Sequence, residues 1–300
     1  MLSSKTIKEE AQKLGFFSCG MTSARPVSED YATNFRAWLD RGCHADMQYL
    51  ENHFDKRMDP TLLAPGTRSI VCVAMNYRPE RVAQGIAWYA QGKDYHDVVK
   101  ERLVRLMDAI GAHGRCFVDT APVPERYWAW QCGIGWMGRN TQLVIPHIGS
   151  AFFLGELFIE EDIDTYDTPM DNHCGTCQRC IEACPTGALQ GNSGLDARRC
   201  LSYLTIENRG DIPSWAQPLM DDTFYGCDRC LKACPHLHSA PTSEDCFAAS
   251  EELLGMTDAD WADLSEERYR TLFKGSAVKR AKYAGLTRNI QATKNKFRAE

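Results

Sequence analysis

Apolar positions first recur at a helical interval. Ile7, Ala11 and Leu14 share one face of residues 1–16, which predicts an amphipathic helix. After the Pro65-Gly66 turn comes an apolar run, SIVCVAM (69–75), that reads as a buried strand. A helix is expected from Asp97 to Ala112, then a short strand, CFVD, ending at Asp119. Pro122 and Pro124 stand where a helix through Glu125 to Gln131 can start. GIGWMGRN (133–140) reads as a glycine-rich turn, followed by strand-like QLVI and AFFLGELFI. The acidic, proline-marked stretch Glu160 to Asp171 reads as a linker. The chain thus divides into an α/β domain (1–165), a cysteine-rich module (166–238) and a mostly helical tail (239–300).

The module changes the picture most. Of fourteen cysteines, eight lie between Cys174 and Cys234. The first run is Cys174-x2-Cys177-x2-Cys180-x3-Cys184-Pro185, the spacing of a bacterial two-cluster ferredoxin, whose fourth cysteine ligates the other cluster. The second run, Cys227-x2-Cys230-x3-Cys234-Pro235, has Phe224 where its first cysteine should stand, and Cys200 is the available replacement. Crossed wiring follows: Cys174, Cys177, Cys180 and Cys234 for one [4Fe-4S] cluster, and Cys227, Cys230, Cys184 and Cys200 for the other. Zinc ribbons and a disulfide framework are the alternatives. Zinc leaves the two Cys-Pro endings unexplained, and disulfides suit small secreted chains. The remaining cysteines, Cys19, Cys43, Cys72, Cys116, Cys132 and Cys246, read as small buried apolar groups.

The composition is globular, with 44% hydrophobic and 25% charged residues and a net charge of −6. No secretory leader, twin-arginine pair or membrane span is recognisable, so a cytoplasmic protein is expected. Charge is unevenly placed. Arg268, Arg270, Lys274, Lys279, Arg280, Lys282, Arg288, Lys294, Lys296 and Arg298 form a basic segment without an acidic residue, which points to a polyanionic partner such as nucleic acid. A solvated basic helix is the plainer reading. Tyr269, Leu272, Phe273, Val278, Tyr283 and Leu286 within the segment imply that it docks on the body.

Asp119, at a strand's end, is placed like a catalytic residue, although a helix N-cap is the commoner role for such an aspartate. Gly133, Gly135 and Gly138 lack the strand-before, helix-after setting of a dinucleotide fingerprint and suit a backbone brought close to a flat ligand. Trp136 could stack on that ligand or fill the core. His96 is the histidine that suits a pocket.

Several segments resemble epoxyqueuosine reductase: FVDTAPVPER (117–126), GIGWMGRNTQLV (133–144), GSAFFLGEL (149–157), both cysteine runs, LDARRCLSYLTIE (195–207) and FKGSAVKRAKYAGLTRNI (273–290). RMDPTLLAPGT (57–67) and YAQGKDYH (89–96) belong to the same ordered series. The resemblance implies a cobalamin-dependent iron–sulfur enzyme that removes the epoxide oxygen of epoxyqueuosine at the wobble position of tRNA. Residues 1–165 would then be the cobalamin and substrate domain, ahead of the two-cluster ferredoxin-like module and the basic tail. The family's proton donor falls on Asp119, which also lies against the cofactor, and Cys200 matches the family's isolated ligand. Arg57, Arg139, Leu143, Leu154 and Ser202 lie in segments resembling those that line the corrinoid. Lys274, Lys279, Arg280, Lys282 and Arg288 match the part that approaches tRNA.

An aspartate is ionised at neutral pH, so proton donation requires a site that raises its pKa. Many family members continue into C-terminal helical repeats, and this chain reads as a short form. An external low-potential electron donor and a monomer are expected. The rival readings are a ferredoxin-type carrier, a cobalamin-dependent reductase of a small molecule, and a nucleic-acid-binding protein with structural clusters.

Overall fold

The computed structural model describes residues 1–191 and 194–294, apart from the side chains of Ser239 and Lys294. Its centre is an antiparallel sheet of four strands in the order β1-β2-β6-β3, formed by β1 (Ser18–Ser23), β2 (Ser69–Asn76), β3 (Gly114–Phe117) and β6 (Phe152–Ile159). A two-stranded hairpin, β4 (Trp136–Met137) with β5 (Leu143–Val144), sits beside it. The fold is mixed α/β.

The SIVCVAM run is continuously apolar because both sheet faces are covered. Val71, Val73 and Met75 point to Ile7 and Ala11 of helix Ser4–Lys13 and to Val99, Leu103 and Leu106 of helix Tyr95–Ala109. Ile70, Cys72 and Ala74 point the other way, to Trp128 and Ala129 of helix Glu125–Gln131. Period two in the strand therefore feeds two cores.

Local chemistry sets the boundaries. The helix expected from Asp97 starts at Tyr95, because the Asp94 side chain accepts the His96 N–H as N-cap. The strand expected to reach Asp119 stops at Phe117, opposite Glu156. Asp119 lies outside the sheet with φ +53°, a left-handed conformation that costs a non-glycine residue energy. The sequence reading missed β1 and helix Glu29–Asp40. The first, SCGMTS, offers too little apolar pattern. The second carries a usable signal, since Ser28 caps the Tyr31 N–H and Glu29 and Asp30 occupy the first turn.

The presumed linker is strapped to the sheet edge. Asp167 exchanges hydrogen bonds with the Met21 backbone, and Leu2 bridges Ile163. Leu231, Leu237 and Phe247 join the core under one sheet face. The tail packs through Phe273, Val278, Leu286 and Ile290 against Ile86, Ile206 and Phe224, as its apolar residues imply. No helix among the described residues is long and apolar enough to cross a membrane.

Candidate active site and cluster module

The two cysteine runs fold as matching short helices, Arg179–Glu182 and Arg229–Lys232, packed on each other. This pairing brings together the cysteines that crossed wiring requires. Cys174, Cys177, Cys180 and Cys234 line one cavity, with Arg139, Asn140, His173 and His236 on its wall. Cys230 is half-buried, and the desolvation this brings pushes its thiol up, while Cys227, Cys200 and Cys184 lie near enough to push it further. Cys180 also acts on Cys230, so the two groups are neighbours. Four thiolates that repel one another need a cationic core between them. Backbone N–H groups also point at the sulfurs: those of Thr186, Ala188 and Leu189 at Cys184, of Ser202 and Tyr203 at Cys200, and of His236 and Leu237 at Cys234. These observations fit two polynuclear clusters.

Phe224 explains the missing cysteine. It is buried against Trp261, with ring centroids 4.6 Å apart, and so belongs to the tail's core. Cys200 reaches the site as the N-cap of helix Leu201–Ile206. Trp136 is packed behind the first cluster site, where its Nε1 donates to Cys174 Sγ at 3.4 Å between edge-on His173 and His236. That removes it as a stacking platform. The glycine-rich turn also departs from expectation. A Cβ on Gly135 would stand 2.3 Å from the Val144 carbonyl oxygen, so the close approach is made by the hairpin's own backbone and not by a ligand.

Asp119 stands in the open at the end of β3. Its Oδ2 accepts from the Tyr95 hydroxyl at 2.7 Å and faces His96 Nε2 at 3.3 Å. His96 Nδ1 in turn lies 2.6 Å from Asp94 Oδ1. Tyr95 is held by parallel stacking on Phe153, 4.4 Å between centroids. Burial opposes a charge on His96, but hydrogen bonds to Asp119 and Asp94 outweigh it and push the imidazole up to about 9. Partial desolvation by the protein around it acts to raise the exposed Asp119 carboxyl, yet bonds from His96 and Tyr95 outweigh it and hold that carboxyl below its usual value. The raised pKa expected at Asp119 therefore lies elsewhere: the proton sits on His96. The nearby Glu125 is also raised, to about 7, chiefly by burial and then by the Asp119 charge.

The candidate corrinoid residues separate. Arg57 is buried, and its Nε finds no acceptor among the described residues, a donor without a partner. Leu154 is half-buried on β6, at the sheet end where Asp119 departs. Arg139 donates to the Gly175 carbonyl at 2.8 Å on the wall of the first cluster cavity. Ser202 is half-buried beside Cys200. Leu143 is 2% exposed inside the core, which leaves its side chain no surface to offer a cofactor.

The basic segment is less uniformly positive than its sequence. Arg268 pairs with Asp260 and Glu252, and Arg270 with Glu266. Arg288 donates to the carbonyls of Leu204, Asn208 and Gly210, so its guanidinium stitches the tail to the body instead of facing solvent. Lys274, Lys279 and Lys282 are exposed and make no ion pair among the described residues. Arg280 is exposed, paired with Glu207 and set over the Tyr49 ring at 5.8 Å, close enough for Asp119 to act on it. The Lys294 side chain, Lys296 and Arg298 lie outside the described residues.

Two family profiles match. One, "4Fe-4S double cluster binding domain", covers residues 173–236. The other, "Epoxyqueuosine reductase QueG, DUF1730", covers residues 57–120. An epoxyqueuosine reductase of Cellulophaga algicola is 43% identical over 97% of this chain and 98% of its own length. That of Escherichia coli K12 is 37% identical over 95% of this chain and 78% of its own length. Among solved structures, an epoxyqueuosine reductase bound to a tRNA-Tyr epoxyqueuosine-modified stem loop superposes with a TM-score of 0.90 at 26% identity, covering 98% of this chain and 81% of its own. The Bacillus subtilis enzyme, with its catalytic loop swung out of the active site, gives 0.86 at 26% identity, with 98% and 81% covered. With crossed cysteine sites, an aspartate bonded by tyrosine and histidine, and relatives of this identity along nearly the whole chain, the protein belongs to the epoxyqueuosine reductase family.

Proposed function

We propose that the chain reduces epoxyqueuosine to queuosine at the wobble position of tRNA, using two [4Fe-4S] clusters and cobalamin. The observation that carries this reading is the Asp94–His96–Asp119 chain with Tyr95, its Asp119 end exposed and near enough to Arg280 of the tail for the two charges to act on each other.

Cobalamin supplies a low-potential cobalt centre able to reduce a carbon–oxygen bond. Arg57, with its unpaired buried Nε, and Leu154 are the residues we assign to its binding, with Ser202 and Arg139 beside the two cluster sites. The chain's own task at the reacting centre is to move a proton. An epoxide oxygen leaves poorly as an anion, so an acid beside it lowers the barrier. His96 holds the proton at neutral pH, and Asp119, ionised at rest, takes it from Nε2 and passes that same proton to the departing oxygen, which leaves His96 neutral and Asp119 a carboxylate again. Asp94 keeps the ring oriented and stabilises its charge.

Lys274, Lys279, Arg280 and Lys282 form the face proposed for anticodon-stem phosphates, and loop bases are already unpaired when they reach the pocket. Electrons come from an external low-potential donor, and we take the protein to be a cytoplasmic monomer. We propose 1–165, 166–238 and 239–300 as the segments carrying substrate chemistry, clusters and RNA contact. The test is anaerobic: cluster-reconstituted protein is titrated with cobalamin, then given reductant and epoxyqueuosine-containing tRNA. Stoichiometric binding followed by queuosine formation supports the reading. Eight irons without cobalamin binding would leave an electron carrier.

A further inference from the structure

Behind Asp119 lies a second pair of carboxyls that the proton path above does not use. Glu156 stands on β6, opposite Cys72 of β2 and Phe117 of β3, and is 0% exposed. Neither of its oxygens receives an N–H or O–H from any other described group. Its neighbour is Glu125, in the first turn of helix Glu125–Gln131, whose carboxyl lies within hydrogen-bonding reach. Two carboxylates cannot bond each other. A bond between this pair exists only when one of them carries a proton. Glu125 has a second task, because its Oε1 accepts the backbone N–H of Asp119.

We propose that Glu125 and Glu156 form a buried, singly protonated carboxyl pair in which Glu156 donates its O–H to Glu125, and Glu125 pins the backbone of Asp119 in its left-handed conformation. A non-glycine residue at φ +53° persists only where its surroundings over-determine it, and the bond to Glu125 supplies that constraint. The charged and titratable groups around the pair support one proton. Asp119 adds negative charge, as would Cys72 and Cys132 if ionised. Arg126 and Arg57 are the cations that act on Glu125, but Arg126 is bonded to the Thr141 carbonyl and Arg57 to that of Tyr49. No cation pairs with Glu156 among the described residues. A buried carboxylate without such a partner takes up a proton. Both glutamates are positioning residues, since they act on Asp119 and not on substrate.

The inference rests on the role proposed for Asp119, and its first readout needs neither substrate nor turnover. Infrared spectra of cluster-reconstituted, cobalamin-free protein should show a protonated-carboxyl C=O band well above the pH at which ordinary glutamates ionise. The band should survive Asp119→Asn and disappear in Glu156→Gln. No band in the wild-type protein at neutral pH, or a band untouched by Glu156→Gln, overturns the pair while leaving the role of Asp119 standing. The second readout is kinetic. Glu125→Ala should lower kcat by about 10²-fold, the scale of a misplaced catalytic group, with cobalamin and tRNA affinities kept. Glu156→Gln, which keeps a donor, should retain most of the rate. Full kcat in Glu125→Ala overturns the positioning role. If that variant does not fold, the infrared comparison still decides.

Discussion

His96 Nε2 faces Asp119 Oδ2 at 3.3 Å, and this pairing settles where the site keeps its proton. The imidazolium stabilises the Asp119 carboxylate, and the carboxylate with Asp94 stabilises the imidazolium, so the proton rests on the stronger base. Replacing His96 with glutamine keeps a hydrogen-bond donor but removes the proton store. His96→Gln should lower the single-turnover rate by about 10²-fold or more, within the range for lost acid–base catalysis, with iron and cobalamin content unchanged.

The same pairing sets a pH dependence. The folded His96 pKa, about 9, lies above the unfolded value of 6.5. A raised histidine contributes stability that is fully present below pH 6.5 and is lost as pH rises through about 9. Activity should fall over the upper part of that window, as the proton store empties. A rate profile and thermal melts from pH 6 to 10 check both, and His96→Gln should flatten the stability change.

Trp136 donates to the Cys174 sulfur, and hydrogen bonds to ligating sulfurs raise a cluster's potential. Trp136→Phe keeps the packing between His173 and His236 and removes that bond. One of the two clusters should become harder to reduce, with the other unmoved. Redox titration followed by EPR reads the two separately.

Arg288 and Arg280 belong to one basic segment but should respond differently. Arg288→Ala strips donors from three backbone carbonyls and should destabilise the fold by about 2–3 kcal/mol, seen as a lower Tm. Lys279→Ala and Lys282→Ala should leave Tm unchanged. Each should weaken tRNA binding and flatten its log–log salt dependence by about 0.7–1.

Cys200 tests the crossed wiring. Cys200→Ser should lower iron content toward half, because the site formed with Cys184, Cys227 and Cys230 loses a ligand while the other keeps four. Retention of all the iron would return Cys200 to a structural role.

Local spacing made the grouping of the cysteines legible, because cluster ligands sit at fixed intervals and the Cys-Pro endings mark both runs. Helix Glu125–Gln131 and strand β2 were equally readable from proline placement and an apolar run. What the chain concealed depends on contacts distant in sequence. Gly135 reads as room for a ligand until Val144 is seen across the hairpin. Arg288 reads as an RNA contact until carbonyls some eighty positions earlier in the chain claim its guanidinium. Glu156, in the run AFFLGELFI, drew no notice, although a charged residue inside an otherwise apolar strand is a usable signal of a buried functional carboxyl. The pKa expectation for Asp119 erred for the same reason, since Tyr95 and His96 approach from a helix more than twenty positions away.

Anaerobic single turnover on epoxyqueuosine-containing tRNA, with the modified base read by mass spectrometry, compares the wild-type protein with Asp119→Asn. Conversion to queuosine by the wild type and none by the variant, at equal iron and cobalamin content, is the predicted result. Wild-type rates in Asp119→Asn would remove Asp119 from the proton path. An untouched epoxide in the fully loaded wild type would contradict the proposed reaction itself.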